Sequence, residues 1–271
     1  MKKSPLILAL FGLFAALPLH AKLVSRAVEY EQDGVSLEGY LAYDDAFPSV
    51  SRDHVGRPGV LIAHEWWGLN DYIRSRADQL AGLGYVAFAL DMYGKGVYTT
   101  HSKTAGDLAQ QFYGSPLMAL RAKAGLEQLL QTGLVDPDRV AAIGYCFGGS
   151  TVLALAFSGA HLAGVVCFHG SLIPVPPDAV SVVKTKFLIC QGALDPFVKK
   201  PQVDAFLKSM NDAKFDYQFV SYSGAMHAFT NPDADQLAFD NKLKGIAYNQ
   251  PADRRSWVAM RSFFNEIFGV N

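Results

Sequence analysis

Three side chains in this sequence carry the makings of a reaction: a thiol, then a carboxylate, then an imidazole. Cys146 stands at the centre of Gly144-Tyr145-Cys146-Phe147-Gly148, between the apolar run "RVAAI" and a helical run that begins at Phe147. The flanking glycines suit a sharp strand-to-helix turn, where any side chain would crowd the tip that projects the nucleophile. The N-terminus of the following helix also favours thiolate over thiol. Downstream, "ICQGALDPF" places Asp195 just past one predicted strand, and "YSGAMHAF" places His227 just past the next. A histidine can deprotonate the thiol while a carboxylate fixes its tautomer and offsets its charge, so the trio is equipped to attack an acyl group. Singly, each residue has a plainer reading: Cys146 as a buried side chain in a Gly-rich turn, Asp195 as a turn residue before Pro196, His227 as a loop histidine.

Such a trio needs a scaffold that gathers strand ends. Apolar runs at "GVLIAH", "YVAFALD", "RVAAIGY", "LAGVVCF", "KFLICQG" and "DYQFVSY" alternate with helical segments at 71–83, 103–113, 116–132, 147–157, 201–212 and 251–268. Nearly all-apolar strands belong in a parallel sheet covered on both faces, so the expected fold class is a doubly wound, mostly parallel α/β sheet. Ahead of it, the runs on either side of Asp33-Gly34 form an antiparallel hairpin at a sheet edge, and residues 44–58 read as a loop. The carboxyl ends of such strands are where catalytic loops collect. No repeat or long linker breaks the pattern, so residues 22–271 are expected to form a single domain.

Composition narrows the partners. Against 24 Lys plus Arg stand 25 Asp plus Glu, a net charge of -1, which gives no electrostatic footprint for nucleic acid or an anionic membrane. A small-molecule substrate is expected, with no cofactor. A metal reading of His64-Glu65 fails because Gly68 stands where a zinc-binding helix would need its second histidine. Residues 1–21 have the layout of a secretory signal: two lysines, a short apolar stretch and a small-residue exit ending at Ala21. The expected location is therefore across the inner membrane, in the periplasm. There are three cysteines; Cys167 and Cys190 lie in apolar strand runs and read as buried hydrophobes, with a bridge between them left open.

The set "AHEWWGLN", "DMYG", "GYCFGGS", "QGALDPF" and "GAMHAF" resembles the dienelactone hydrolase family of α/β-hydrolases. The resemblance implies a Cys146, Asp195, His227 triad and an oxyanion hole made by the backbone N–H groups of Phe147 and Trp66. It implies that Glu65 beside the nucleophile controls exposure of the thiolate; the plainer reading of Glu65 is a loop carboxylate. The implied activity is hydrolysis of a carboxylic ester or lactone through an acyl-thioester. Family members that act on carboxylated lactones hold the carboxylate with two arginines, where this chain has Lys95 and Asn231. Tyr93, Lys95 and Phe229 are expected at the substrate, with Trp66 and Tyr93 as pocket walls. Arg254 and Arg255 read as helix surface, and His169, at the end of "VVCFH", as a loop residue. A thioesterase or acyl transferase on the same triad, or a ligand-binding protein with an inert Cys146, are the alternatives.

Overall fold

The computed structural model describes residues 22–47 and 55–269; the expected leader at 1–21 lies outside the described residues. The chain enters the sheet as a hairpin of β1 (Leu23–Gln32) and β2 (Val35–Asp44). Gln32 pairs with Val35, and Asp33 and Gly34 take φ of 53° and 73°, the doubly positive turn whose twist matches the strands. There follow β3 (Arg57–Ala63), α1 (Asp71–Ala81), β4 (Val86–Leu90), α2 (Ser102–Gln110), α3 (Leu117–Gln131), β5 (Val135–Tyr145), α4 (Phe147–Phe157), β6 (Gly164–Phe168), β7 (Lys186–Gly192), α5 (Lys200–Asp212), β8 (Tyr217–Tyr222), α6 (Ala234–Asp240) and α7 (Gln250–Phe268).

The eight strands form one sheet in the order β1-β2-β4-β3-β5-β6-β7-β8. β1 and β2 run antiparallel to their neighbours, and β4 through β8 run parallel. β4 and β6 are buried at every position, which is why they read as unbroken apolar runs. Helix ends follow local chemistry. The Asn70 side chain accepts from the Ile73 N–H to start α1, and Asn249 accepts from Ala252 N–H before α7, which ends at left-handed Gly269. α6 was not among the expected helices: its seven residues are too few to show a periodicity.

Two cores cover the sheet. One packs Met118, Leu129, Val152, Phe206 and Met210 from α3, α4 and α5; the other packs Ile73, Leu80, Met260 and Phe264 from α1 and α7. Each such side chain contributes roughly 1.5–3 kcal/mol by leaving water. Cys167 belongs to the first core and Cys190 to the second. Cys190 pairs with Phe168, not with Cys167, so the one-residue offset sends the two thiols to opposite faces and rules out the bridge that the sequence left open. All three cysteines are free.

Candidate active site

β3, β5, β6, β7 and β8 are neighbours in the sheet, and their carboxyl ends deliver Glu65, Cys146, His169, Asp195 and His227 to one place. At the tip of the β5–α4 turn, Cys146 has φ 53° and ψ -116°, a conformation that costs an L-residue about 1–3 kcal/mol and persists only where its surroundings enforce it. The glycines show how tight those surroundings are. A Cβ on Gly144 would lie 1.9 Å from the Gly148 carbonyl oxygen, and one on Gly148 would lie 2.1 Å from the Ala63 carbonyl oxygen. Only hydrogen fits at either position.

The three expected residues form one hydrogen-bonded chain. His227 Nε2 lies 3.0 Å from Cys146 Sγ, and His227 Nδ1 lies 2.8 Å from Asp195 Oδ2. Asp195 is itself oriented, accepting from Gln191 Nε2 and from the Phe197 N–H, both at 2.8 Å. Burial alone would lower the His227 pKa, but Cys146 and Asp195 outweigh it and hold the imidazole well above its ordinary value.

Glu65 is buried at the same floor and accepts from Asn231 Nδ2 at 2.6 Å. Asn231 Oδ1 takes the Asp233 N–H at 2.9 Å, which leaves its amide nitrogen facing Glu65. Burial pushes the Glu65 pKa up to about 7, against the opposing pull of Asn231 and His227. The backbone beside Glu65 is fixed too. His64 Nε2 accepts the Met92 N–H, so its proton sits on Nδ1 and is given to the Glu65 carbonyl at 2.5 Å. Gly68 N–H also donates to that carbonyl. In a trans peptide the N–H opposes the carbonyl, so the Trp66 N–H faces away from these donors and finds no partner among the described residues. The same holds at the turn, where the Cys146 carbonyl accepts from Gly149 N–H and leaves the Phe147 N–H unengaged at the start of α4.

Above Cys146 lies a cleft of ≈ 170 Å³, walled by Trp66, Trp67, Tyr113, Phe197, Leu237, Leu243 and Ile246. Trp66 is a wall, as expected, but three other expectations fail. Lys95 sits away from the cleft with its ammonium 2.5 Å from Glu29 on β1 and 3.8 Å from Glu38 on β2, because the hairpin edge offers it two carboxylates within reach. Phe229 is fully buried, packed on Tyr222 and His169. Tyr93 lies beneath the wall, donating its hydroxyl to the Trp66 carbonyl at 3.0 Å and packing on His64 and Phe147. Arg254 and Arg255 are exposed on α7. His169 stands in the loop just past β6, as read, and is fully buried there. No sequence signal pointed to Tyr113 or to the Leu237, Leu243 and Ile246 wall, and Asn231 was legible only as a missing arginine. Among the described residues no group of His, Cys, Asp or Glu side chains could hold a metal ion.

The dienelactone hydrolase family matches residues 46–268. Protein usf of Aquifex pyrophilus is 28% identical over 251 residues, covering 90% of this chain and 99% of that protein. A carboxymethylenebutenolidase of Pseudomonas putida is 25% identical over 175 residues, 62% of this chain and 74% of that protein. The solved structure of a dienelactone hydrolase-like promiscuous phosphotriesterase from metagenomic libraries has a TM-score of 0.83 at 35% identity, covering 90% of this chain and 98% of that one. With the family matched over most of its length and an α/β-hydrolase sheet supplying the strand ends, the chain belongs to the dienelactone hydrolase family and is a hydrolase.

Proposed function

We propose that this chain is a carboxylic ester or lactone hydrolase that works through an acyl-thioester on Cys146. The observation that carries this reading is the Cys146–His227–Asp195 hydrogen-bonded chain, held on a strained turn at the floor of an apolar cleft. In the proposed cycle the Cys146 thiolate attacks the acyl carbon, and the oxyanion is received by the Phe147 and Trp66 N–H groups. The His227 imidazolium gives its Nε2 proton to the departing oxygen. Water, giving a proton to the same nitrogen, then attacks the thioester carbon; the C–S bond breaks, the acid leaves and the thiolate and imidazolium are restored.

A thiolate leaves more readily than an alkoxide, so the intermediate goes forward when the oxygen leaving group is a good one; enol-lactones and aryl esters suit the site better than alkyl esters. Glu65, anchored through one oxygen and bordering the cleft, governs how freely the thiolate meets reagents. The mature protein is proposed to act in the periplasm after loss of residues 1–21.

The test is a screen of enol-lactones, aryl esters and thioesters with the wild type and Cys146→Ala, combined with intact-mass trapping of the acyl-enzyme. Loss of turnover in the variant and an acyl adduct on Cys146 are expected. Substantial activity in Cys146→Ala would overturn the assignment, and turnover confined to thioesters would favour a thioesterase. A second reading, phosphotriester hydrolysis, is favoured by the 35% identity to the metagenomic phosphotriesterase and by a cleft wall with no lysine or arginine among the described residues, which suits an uncharged triester.

A further inference from the structure

The proposed reaction makes no use of His169, whose position at the end of β6 is unusual. It is fully buried with a positive φ of 41°. Its Nδ1 lies 3.1 Å from the Cys146 amide nitrogen, and its Nε2 lies 2.6 Å from Thr230 Oγ1. A backbone amide only donates, so Nδ1 carries the lone pair and the proton is on Nε2, given to Thr230. Thr230 is anchored in its turn. Its hydroxyl lies 2.8 Å from that of Tyr72, and its carbonyl accepts from Arg76 Nη2 at 2.8 Å. Arg76 is held by Asp253 at 2.6 Å.

We propose that His169 is a positioning residue that ties the turn carrying Cys146 to the loop carrying His227, and so sets the separation of nucleophile and base. The proposal rests on the reading of Cys146 as nucleophile. The Cys146 amide is shared between the Phe168 carbonyl at 3.0 Å and His169, so the ring is the second acceptor holding a backbone that would otherwise relax. Its far side reaches Thr230, in the same loop as His227, and its edge stands against the His227 ring with centroids 5.3 Å apart. A neutral imidazole accepts at one ring nitrogen and donates from the other across the width of the ring, which is the pairing these two contacts need.

The role requires the neutral ring, because a proton on Nδ1 would confront the Cys146 N–H. The charged and titratable groups around it agree. Burial, then His227, then Arg76 disfavour the charged ring. The phenols of Tyr72 and Tyr145, also close by, are buried with raised pKa values and stay neutral.

Two-bond proton–nitrogen spectra of the wild type test the tautomer directly. From about pH 5 to about pH 8 His169 should remain neutral with its proton on Nε2, and a protonated Nδ1 at a pH where the enzyme turns over would overturn the proposal. H169N keeps an acceptor for the Cys146 amide but cannot reach Thr230; H169L keeps neither. We expect kcat to fall roughly tenfold and roughly a hundredfold respectively, with KM within about threefold, and Cys146 alkylation by iodoacetamide to slow in the same order. Wild-type kcat and alkylation in H169L, or a loss confined to KM, would refute it. Should H169L fail to fold, T230V carries the test: it keeps the volume, removes the acceptor, and should lose roughly tenfold in kcat. Wild-type kcat in T230V would refute the tie. Activity retained by Cys146→Ala would instead overturn the nucleophile reading and leave the tautomer result standing.

Discussion

Glu65 is the residue at which burial and charge are most directly opposed. Its pKa of about 7 against an ordinary 4.5 means that, between those values, the folded protein keeps a proton that the unfolded chain has released. Stability must then fall as pH rises from about 4.5 to about 7 and level off above, by about 3 kcal/mol for this one group. Glu65→Gln removes the titration. In urea unfolding, the stability of the wild type relative to Glu65→Gln should therefore drop by about that amount between about pH 4.5 and about pH 8; parallel curves would show that the carboxyl is not buried as described. At neutral pH the same variant should change the rate at which iodoacetamide inactivates the enzyme, and identical rates with unchanged turnover would leave Glu65 a bystander. The sequence located Glu65 through its motif. It could not show that Asn231, met only as an absent arginine, is the donor that anchors it, because that contact joins loops 166 residues apart.

At the scale of elements, the strand-to-helix turn is the part whose sequence and geometry agree most closely. Its glycines are required by contact as well as by conformation: on Gly148 a Cβ would meet the backbone of β3 at 2.1 Å, and that backbone cannot move without displacing the central strands. Gly148→Ala should cost about 3 kcal/mol or more, a Tm loss of roughly 6–12 °C. Gly82→Ala is the control, since its φ is -64° and a Cβ there meets nothing closer than 3.6 Å; it should leave Tm nearly unchanged. Equal melting of the two variants would refute the steric account. The fully buried strands and the long helices were legible because each has its own period or apolar run. α6 was not, and neither was the wall it shares with Leu243 and Ile246, since its contribution comes from where the loop after β8 returns over the cleft. Tyr93, Lys95 and Phe229 were misplaced for a related reason: nearness to a motif along the chain does not say on which side of a strand end a side chain leaves.

The whole molecule determines which substrates can approach. Its net charge is -1, and among the described residues the cleft wall contains no lysine or arginine while its floor holds Glu65. Lys95 is engaged with Glu29 and Glu38 at the hairpin, and Arg254 and Arg255 face outward from α7. The order of the sheet separates Lys95 from the site: β1 and β2 lie at one edge, while the reactive groups gather over β3 and β5 through β8. A substrate carboxylate entering the cleft would find no lysine or arginine there among the described residues, and the one cation present, the His227 imidazolium, is already engaged by Cys146 and Asp195. A charge-assisted hydrogen bond of that kind is worth roughly 1.5–3 kcal/mol, about ten- to more than a hundredfold in rate, so its absence is measurable. For a matched pair of activated esters or enol-lactones differing only in a carboxylate, kcat/KM for the uncharged member should equal or exceed that for the acid. A preference of about a hundredfold or more for the acid would require a cation other than His227 to reach the cleft in the complex, and would overturn the account of the wall given by Trp66, Tyr113, Phe197 and Leu237.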